Sequence, residues 1–313
     1  MKRSKAIGRI LGRRLGELLI LLFAITTLLF FLLRLSGDPA AVLAGEQATP
    51  EQVAEIRALY GLDAPLPVQY LRHLRNVLFL DFGQSLHAGR PALDMVAERL
   101  GSTLMLSLFA LVLTAALAIP IGAWLGARPD VGSRRFGNGA IFILQGLPGY
   151  IVGLLLIELL AVQFPLLPSI GNRGALSWVL PTLTLASFLV PKLARVVAAN
   201  VTEAMREDFI RTARANGATT AEAVLRHALP NALLGATALI STQFAFLLSG
   251  AVITEWIFSW PGFGQLLIQS LQRLDFPVVQ AAVFVTAGLV FAVNAGTDVL
   301  FRLIDPRLRS QRA

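Results

Sequence analysis

Long apolar stretches separated by short polar segments dominate this chain of 313 residues. A transmembrane helix needs about 20 largely apolar residues, and several stretches meet or approach that length. They cover residues 18–33, 100–127, 136–157, 174–191, 228–254 and 276–297. The fourth stretch is short, and we expect it to continue past Lys192 towards Asn200. The pattern therefore predicts an all-α membrane protein with six transmembrane helices and with both termini on one side of the membrane.

Composition and charge agree with this prediction. Hydrophobic residues make up 55% of the chain and charged residues 15%, and the mean hydropathy is +0.68, which excludes an ordinary soluble domain. Most of the 27 basic residues lie in the N-terminal segment, the loop after the second span, the insert from Lys192 to Arg226 and the C-terminal tail. Loops rich in Lys and Arg stay in the cytoplasm, so both termini are predicted to be cytoplasmic. The net charge of +8 is thus a topology signal, and we expect lipid rather than nucleic acid as a partner.

The spans and loops predict a division of the chain into five parts. These are a basic cytoplasmic N-terminus over residues 1–14, a first transmembrane helix over 15–35, an external cap over 36–99, a five-helix core over 100–302 and a cytoplasmic tail over 303–313.

The external cap carries clear helix signals. Thr49-Pro-Glu-Gln52 is typical of a helix start with a capping box, and Gly61 is suited to a left-handed stop. Pro65 and Pro67 predict an extended stretch before a helical pattern resumes at Val68. The cap is too small to form a stable core by itself.

The polar insert before the fifth span predicts a bent pair of helices. Residues 203–215 can form one helix, and Gly217 suits the left-handed position after it. Thr219 and Glu222 form a second capping box, which starts another helix that Pro230 interrupts near the span. A helix–glycine–helix elbow of this kind, lying across the membrane surface, is a shape that a soluble partner can bind.

Several kinds of catalytic chemistry are missing from the sequence. There is no cysteine, none of the three lysines completes a phosphate-binding loop, and the histidines show no metal-ligand spacing. We therefore predict no enzyme activity, no ATPase site and no metal or cofactor bound by this chain. Among the isolated polar residues of the spans, Asn294 could either line a pathway or link two helices.

A compact Pro/Gly-rich turn follows the fifth span. Trp260-Pro-Gly262 comes shortly after Glu255 and Trp256. Anchoring at the membrane interface would account for the tryptophans alone. The added Pro261 and Gly262 favour a shaped loop beside the mouth of a translocation path.

The chain resembles the permease subunits of bacterial ATP-binding-cassette (ABC) importers, specifically the peptide/nickel/opine uptake family. The resemblance covers nearly the whole chain and rests on motifs that occur in family order. Besides the insert, they are Arg34-Leu-Ser-Gly-Asp-Pro39, Tyr60-Gly-Leu-Asp-Ala-Pro65 with Gln69-Tyr70, Asp81-Phe-Gly-Gln-Ser85, Phe258-Ser-Trp-Pro-Gly-Phe-Gly264, Asp275-Phe-Pro-Val-Val-Gln280 and Asp305-Pro-Arg307.

The resemblance implies a type I ABC importer permease fold with a small periplasmic helical cap. It also implies a cytoplasmic coupling segment over residues 200–229, since the superfamily carries Glu-Ala-Ala, three residues, Gly and a downstream Leu-Pro there. Arg211 and Thr212 stand where Glu and Ala are usual, which resembles the variant of this motif in the peptide family. The implied ATPase-coupling residues are Asp208, Arg211, Ala213, Arg214, Gly217, Leu229 and Pro230. Residues proposed for the pathway or the periplasmic gate are Glu255, Trp260, Pro261, Gly262 and Asn294.

The resemblance further implies a multi-pass protein of the bacterial inner membrane with several partners. These are a second homologous permease, two ABC ATPase subunits that bind ATP and Mg, and a periplasmic substrate-binding protein. Di- and oligopeptides are the expected solutes, with nickel, metal chelates and opines as alternatives. A secondary transporter is the alternative from another class, although such folds usually show inverted repeats and polar groups on broken helices.

Overall fold

A computed structural model describes residues 2–35, 38–45, 48–127, 132–172 and 174–304. The C-terminal tail from residue 305, with Asp305-Pro-Arg307, lies outside the described residues, as do Ser36 and Gly37 of the first motif. The described α-helices are α1 (Lys2–Leu35), α2 (Pro39–Ala44), α3 (Pro50–Leu59), α4 (Leu66–Leu78), α5 (Ala92–Ala127), α6 (Gly132–Gly146), α7 (Gly149–Ile157), α8 (Val179–Ala204), α9 (Asp208–Ala215), α10 (Thr220–Glu222), α11 (Leu229–Ile257), α12 (Phe263–Gln272) and α13 (Phe276–Ile304). Glu158–Gln163 and Ala223–Ala228 are π-helical, and Ala175–Trp178 is a 3₁₀ turn.

The all-helical membrane fold is confirmed. Four described segments are long and apolar enough to cross a membrane, namely Gly12–Leu32, Ala92–Ala127, Ala175–Ala204 and Phe276–Thr297. A fifth span results if the bent pair Phe136–Gly146 and Gly149–Gln163 is counted as one. The described spans thus number four or five, against a predicted six. The remaining predicted span coincides with α11, a single helix of 29 residues.

The third predicted span is not one helix. Its two halves meet at an angle of 94°. Pro148 lies at this break and has no backbone N–H, and its ring restricts the residue before it to extended conformations. The α6 helix therefore ends at Gly146, and α7 begins afresh at Gly149.

Two compact units make up the chain, and the first comprises Met1–Gly101 with Leu266–Phe291. Within it α4 packs along α1. The Thr27 hydroxyl lies 2.7 Å from the hydroxyl of Tyr70, and Arg34 donates a hydrogen bond of 2.6 Å to Gln69. The Arg34 guanidinium also lies 3.5 Å from the centroid of the Phe30 ring. Polar and aromatic contacts together hold this helix pair.

Two motifs of the resemblance meet in the same unit. The Ser85 hydroxyl donates to Asp275 at 2.5 Å, and the Leu86 N–H donates to the other carboxylate oxygen at 3.1 Å. Ser85 and Asp275 are both almost fully buried. The distant motifs are therefore joined by one carboxylate.

The cap helices begin as predicted in one case and earlier than predicted in the other. Thr49 and Gln52 form the predicted capping box of α3, and Gly61 has a φ of +64°. The expected extended stretch at Pro67 is wrong, because α4 already begins at Leu66. Pro67 lies in the first helical turn, where a missing N–H removes no hydrogen bond.

The second unit comprises Ser102–Gln265 with Ala292–Ala313, and its core surrounds α8. A Cβ atom added to Gly122 would lie 2.6 Å from the Ala194 carbonyl oxygen, and one added to Gly126 would lie 2.7 Å from the Ala198 carbonyl oxygen. Without side chains at these two positions the backbones of α5 and α8 can approach closely, as small residues allow in membranes. The predicted extension of the fourth span past Lys192 is confirmed, since α8 continues to Ala204.

Candidate functional site

The elbow between α8 and α11 consists of residues 205–228 and contains one more bend than the sequence predicts. The predicted helix over residues 203–215 is wrong at its start, because α8 ends at Ala204 and α9 starts at Asp208. Between them, Glu207 has extended backbone torsions (φ −72°, ψ 152°). The chain therefore turns away from the axis of α8 before the short α9 helix forms.

One face of α9 is buried and the other is charged. Ile210 is 1% exposed and Ala213 is 9% exposed, and Ile210 packs into the core of the second unit. Asp208, Arg211 and Arg214 are exposed. This arrangement fixes the helix through its apolar face while its charges point to solvent.

Gly217 ends α9 in the left-handed region, as predicted. Its φ is +91°, and its N–H donates to the Arg214 carbonyl at 3.0 Å. The following N–H, of Ala218, donates to the Ala213 carbonyl at 3.0 Å. An added Cβ at Gly217 would meet nothing within 4 Å. The glycine is thus required by its backbone torsion and not by lack of space.

The second predicted capping box is also confirmed. The Glu222 N–H donates to the Thr219 hydroxyl at 3.2 Å, and the Thr219 N–H donates to the Glu222 carboxylate at 3.0 Å. These bonds from the backbone and hydroxyl of Thr219 lower the pKa of Glu222 below its usual value. The cap therefore fixes the start of the return helix at neutral pH.

The return helix does not stop at Pro230, contrary to prediction. The α10 helix passes through the π-helical turn Ala223–Ala228 directly into α11, where Leu229 and Pro230 occupy the first turn. A proline removes one backbone hydrogen bond and crowds the preceding turn. The wider π-helical turn absorbs that change without ending the helix.

Ion pairs within the elbow are weak. Arg211 lies 3.3 Å from Asp208, and their side chains are 82% and 92% exposed. Arg226 lies 4.0 Å from Glu222. Exposed pairs of this kind contribute about 0–1 kcal/mol. The elbow therefore presents basic side chains that can exchange these partners for groups on another protein.

A second candidate site lies at the opposite end of α11 and centres on Glu255. The carboxylate is fully buried. It accepts hydrogen bonds from the Thr103 hydroxyl at 2.5 Å, the Gly264 N–H at 2.6 Å and the Gln265 N–H at 3.2 Å. The Thr103 hydroxyl in turn accepts the Phe263 N–H at 2.8 Å. We call residues 255–265 the Glu255 loop, and its carboxylate is bound by the start of α12.

Two glycines of this loop leave no room for a side chain. A Cβ on Gly262 would overlap the Glu255 carboxylate, and a Cβ on Gly264 would lie 2.5 Å from the Val252 Cα. The Trp260 side chain is fully buried, and its ring packs edge-on against Trp178 with the two ring centroids 4.4 Å apart. Anchoring of Trp260 in the membrane interface is therefore excluded. Trp256 is 41% exposed.

The structure brings some of the predicted residues together and separates others. Glu255, Trp260, Pro261 and Gly262 share one loop. Asn294 lies on the exposed side of α13, outside this loop. The sequence analysis missed Thr103, whose hydroxyl links α5 to the Glu255 loop across 152 positions. An isolated threonine in an apolar stretch gives no signal of such a contact.

Two solved structures are similar in fold to this chain. One is an amino acid ABC transporter, with a TM-score of 0.51, 18% identity, and coverage of 67% of this chain and 94% of that chain. Another is the MetNI methionine ABC transporter in inward-facing conformations, with a TM-score of 0.53, 19% identity, and coverage of 67% of this chain and 96% of that chain. The fold is therefore that of a membrane subunit of ABC importers.

Sequence comparison then gives the family. Residues 118–310 match the family of binding-protein-dependent transport system inner membrane components, and residues 7–107 match the N-terminal domain of such components. The chain belongs to this family. It is therefore a multi-pass inner membrane protein and a transporter subunit rather than a catalytic enzyme.

Two relatives align over almost their whole length. The glutathione transport system permease protein GsiC of Salmonella paratyphi A is 34% identical over 97% of this chain and 99% of its own. The probable peptide ABC transporter permease protein y4tP of Sinorhizobium fredii is 35% identical over 97% of this chain and 100% of its own.

Proposed function

We propose that this chain is one permease subunit of an ATP-driven peptide importer. It pairs with a second homologous permease to enclose the path and takes peptides from a periplasmic binding protein. Two ABC ATPase subunits supply the energy. ATP and Mg bind to those subunits, and this chain needs no cofactor of its own.

The geometry of the elbow is the observation that carries this proposal. Its apolar face is buried in the core that surrounds α8, and its basic face is exposed. A displacement of α9 is therefore transmitted to α8 and α11 through packed side chains. In this role Asp208, Arg211 and Arg214 contact the ATPase, while Ala213 and Gly217 keep the helix seated and bent.

The return half of the elbow transmits the movement. Leu229 and Pro230 lie where the π-helical turn enters α11. A continuous helix of about 43 Å, at 1.5 Å per residue, then connects the elbow to the Glu255 loop. We propose that Glu255, Trp260, Pro261 and Gly262 frame the periplasmic gate at that far end, and that Asn294 lines the path from α13. Both termini are then cytoplasmic, on the same side as the elbow.

Peptides are favoured over nickel, metal chelates and opines by the relatives, whose names refer to glutathione and peptide transport. A secondary transporter is disfavoured because the family depends on a binding protein.

Reconstitution in proteoliposomes tests the proposal. The chain would be purified with the second permease, the ATPases and the binding protein of its transport system. We expect uptake of trialanine, loaded on the binding protein, only when ATP is present on the elbow side. Uptake driven by an ion gradient without ATP would contradict the proposal.

A further inference from the structure

Lys192 is a cation in the middle of an apolar span. It lies 12 residues before the end of α8 at Ala204, which corresponds to about 18 Å along a helix. The sequence analysis counted its charge with the cytoplasmic insert and also expected the fourth span to continue past it. The structure places it inside the candidate span Ala175–Ala204.

Residues of neighbouring helices also lie halfway along their helices at this level. Leu189 and Leu193, which flank Lys192 on α8, line one small cavity with Thr114 and Gln243. Gln243 is the central residue of α11, and Thr114 lies about 20 Å from the elbow end of α5, at 1.5 Å per residue. The hydrocarbon core of a bilayer is about 30 Å thick, so we infer that Lys192 lies near its middle when Ala175–Ala204 crosses the membrane.

Two aromatic rings lie beside the ammonium group. Its Nζ lies 3.7 Å from the centroid of Phe188 and 5.5 Å from that of Phe246. The two rings stack on each other at 5.6 Å. Among the residues that the structure describes, Lys192 makes no ion pair or hydrogen bond. Ring faces stabilise a cation without neutralising it, so its N–H donors remain available.

This charge is not compatible with contact to lipid. Ionisable groups at membrane depth face a bundle interior or a water-filled cavity. Lys192 is half-buried and Phe246 is 48% exposed, so the group opens onto the surface of this single subunit. One turn closer to the elbow, Arg195 adds a second cation, held by Gln145 at 2.8 Å. Residues 175–202 contain no Asp or Glu that could neutralise this face.

We propose that Lys192 is a subsite of the translocation path that binds a carboxylate group of the solute in transit. The proposal rests on the proposed function, since it requires that peptides pass along this face of α8. Three N–H donors on one ammonium suit a carboxylate, and the flanking rings keep the donors in place. A single contact of this kind attracts an anionic group and still releases it, as conduction along a path requires.

The test compares Lys192→Gln, Lys192→Arg and the wild type in the complete reconstituted transporter. The probes are trialanine, trialanine amide and Ala-Asp-Ala amide, each loaded on the binding protein. For trialanine we expect the KM of Lys192→Gln to rise about tenfold, the equivalent of one charge-assisted hydrogen bond, and Lys192→Arg to restore it. For trialanine amide we expect no change. The affinity of the binding protein for each peptide does not affect the result, because the KM of one peptide is compared between permease variants that use the same binding protein.

The third probe distinguishes the two sources of a carboxylate. If Lys192→Gln raises the KM for Ala-Asp-Ala amide, a side-chain carboxylate is also bound. If that KM is unchanged, the C-terminal carboxylate alone is bound. Assembly is checked by size exclusion, and we expect Lys192→Gln to assemble as well as the wild type. Equal loss of trialanine and trialanine amide, loss of assembly, or unchanged uptake of trialanine by Lys192→Gln would each overturn the proposal. Failure of the wild type to import any of the probes would instead overturn the proposed peptide function.

Discussion

The two ends of α11 contrast in how they satisfy their charged groups. At the Glu255 loop, a fully buried carboxylate accepts bonds from one hydroxyl and two backbone N–H groups of the same chain. At the elbow, Asp208 and Arg211 pair only on the surface, with more than four-fifths of each side chain exposed. The loop is complete within this chain, whereas the elbow leaves its charges to solvent or to a partner.

This contrast explains what each end can do. A buried and fully bonded carboxylate makes a loop rigid, because any other position leaves polar groups unpaired. Exposed charges on a seated helix cost little to rearrange, so they suit a surface that another protein binds. The contrast predicts that substitutions at the loop reduce stability, while charge substitutions at the elbow reduce assembly.

Replacement of Glu255 by alanine has the largest expected effect. It leaves the buried N–H groups of Gly264 and Gln265 and the hydroxyl of Thr103 without their acceptor. We expect the free energy of unfolding to fall by about 3 kcal/mol or more, measured in detergent by tryptophan fluorescence. Glu158→Ala is the matched control, since Glu158 is exposed and accepts a hydrogen bond of 3.2 Å from Gln163. Equal stability of the two variants would remove the basis of the contrast.

Replacement of Gly262 by alanine has the next largest effect. The new methyl group overlaps the Glu255 carboxylate, which must then leave its hydrogen bonds. We expect a loss of about 1–3 kcal/mol in the free energy of unfolding. Gly139→Ala, on the open side of α6, should be neutral or slightly stabilising. An unchanged free energy of unfolding in Gly262→Ala would show that the Glu255 carboxylate can adopt another position without loss of stability.

Replacement of Gly217 by valine affects the elbow through its backbone alone. A β-branched residue at a φ of +91° is strained by about 1–2 kcal/mol. We expect ATP hydrolysis by the assembled transporter to lose its stimulation by substrate. Gly217→Asn is the matched control, because asparagine tolerates left-handed torsions and the site has space. Normal stimulation in Gly217→Val would speak against a coupling role for this bend.

Acidification of the elbow has the smallest expected effect. The folded pKa of Glu222 lies below its usual value, so the cap is stable at neutral pH and is lost as the pH falls through that folded pKa. Leu225, which is 62% exposed, should then become a better site for pepsin as the pH falls below 4.5, the usual pKa of a Glu carboxyl. Glu222→Gln keeps a side chain that can cap the helix but does not titrate. Its cleavage by pepsin should therefore lack the additional increase at low pH. Identical profiles for both proteins would contradict this prediction.

Local signals made part of this structure predictable from the sequence. Both capping boxes, the left-handed glycines 61 and 217 and the continuation of α8 follow from residues a few positions apart. The break of the third span could not be predicted, because the sequence does not show how far Pro148 bends the chain. The bonds from Thr103 to Glu255 and from Ser85 to Asp275 join residues 152 and 190 positions apart, and only the packed fold brings them together. The contact of Lys192 with the Phe246 ring was likewise hidden, because the two residues lie on different helices.

Capture of the ATPase by an elbow variant tests the central claim most directly. The doubly reversed Arg211→Glu/Arg214→Glu chain should keep its stability within about 0.5 kcal/mol, since both side chains are exposed, and should fail to retain the ATPase subunits on affinity purification. The matched control is Arg72→Glu/Arg75→Glu, which reverses two exposed arginines at the same spacing on α4 and should retain them fully. Retention of the ATPase by the elbow variant at the control level would contradict the account.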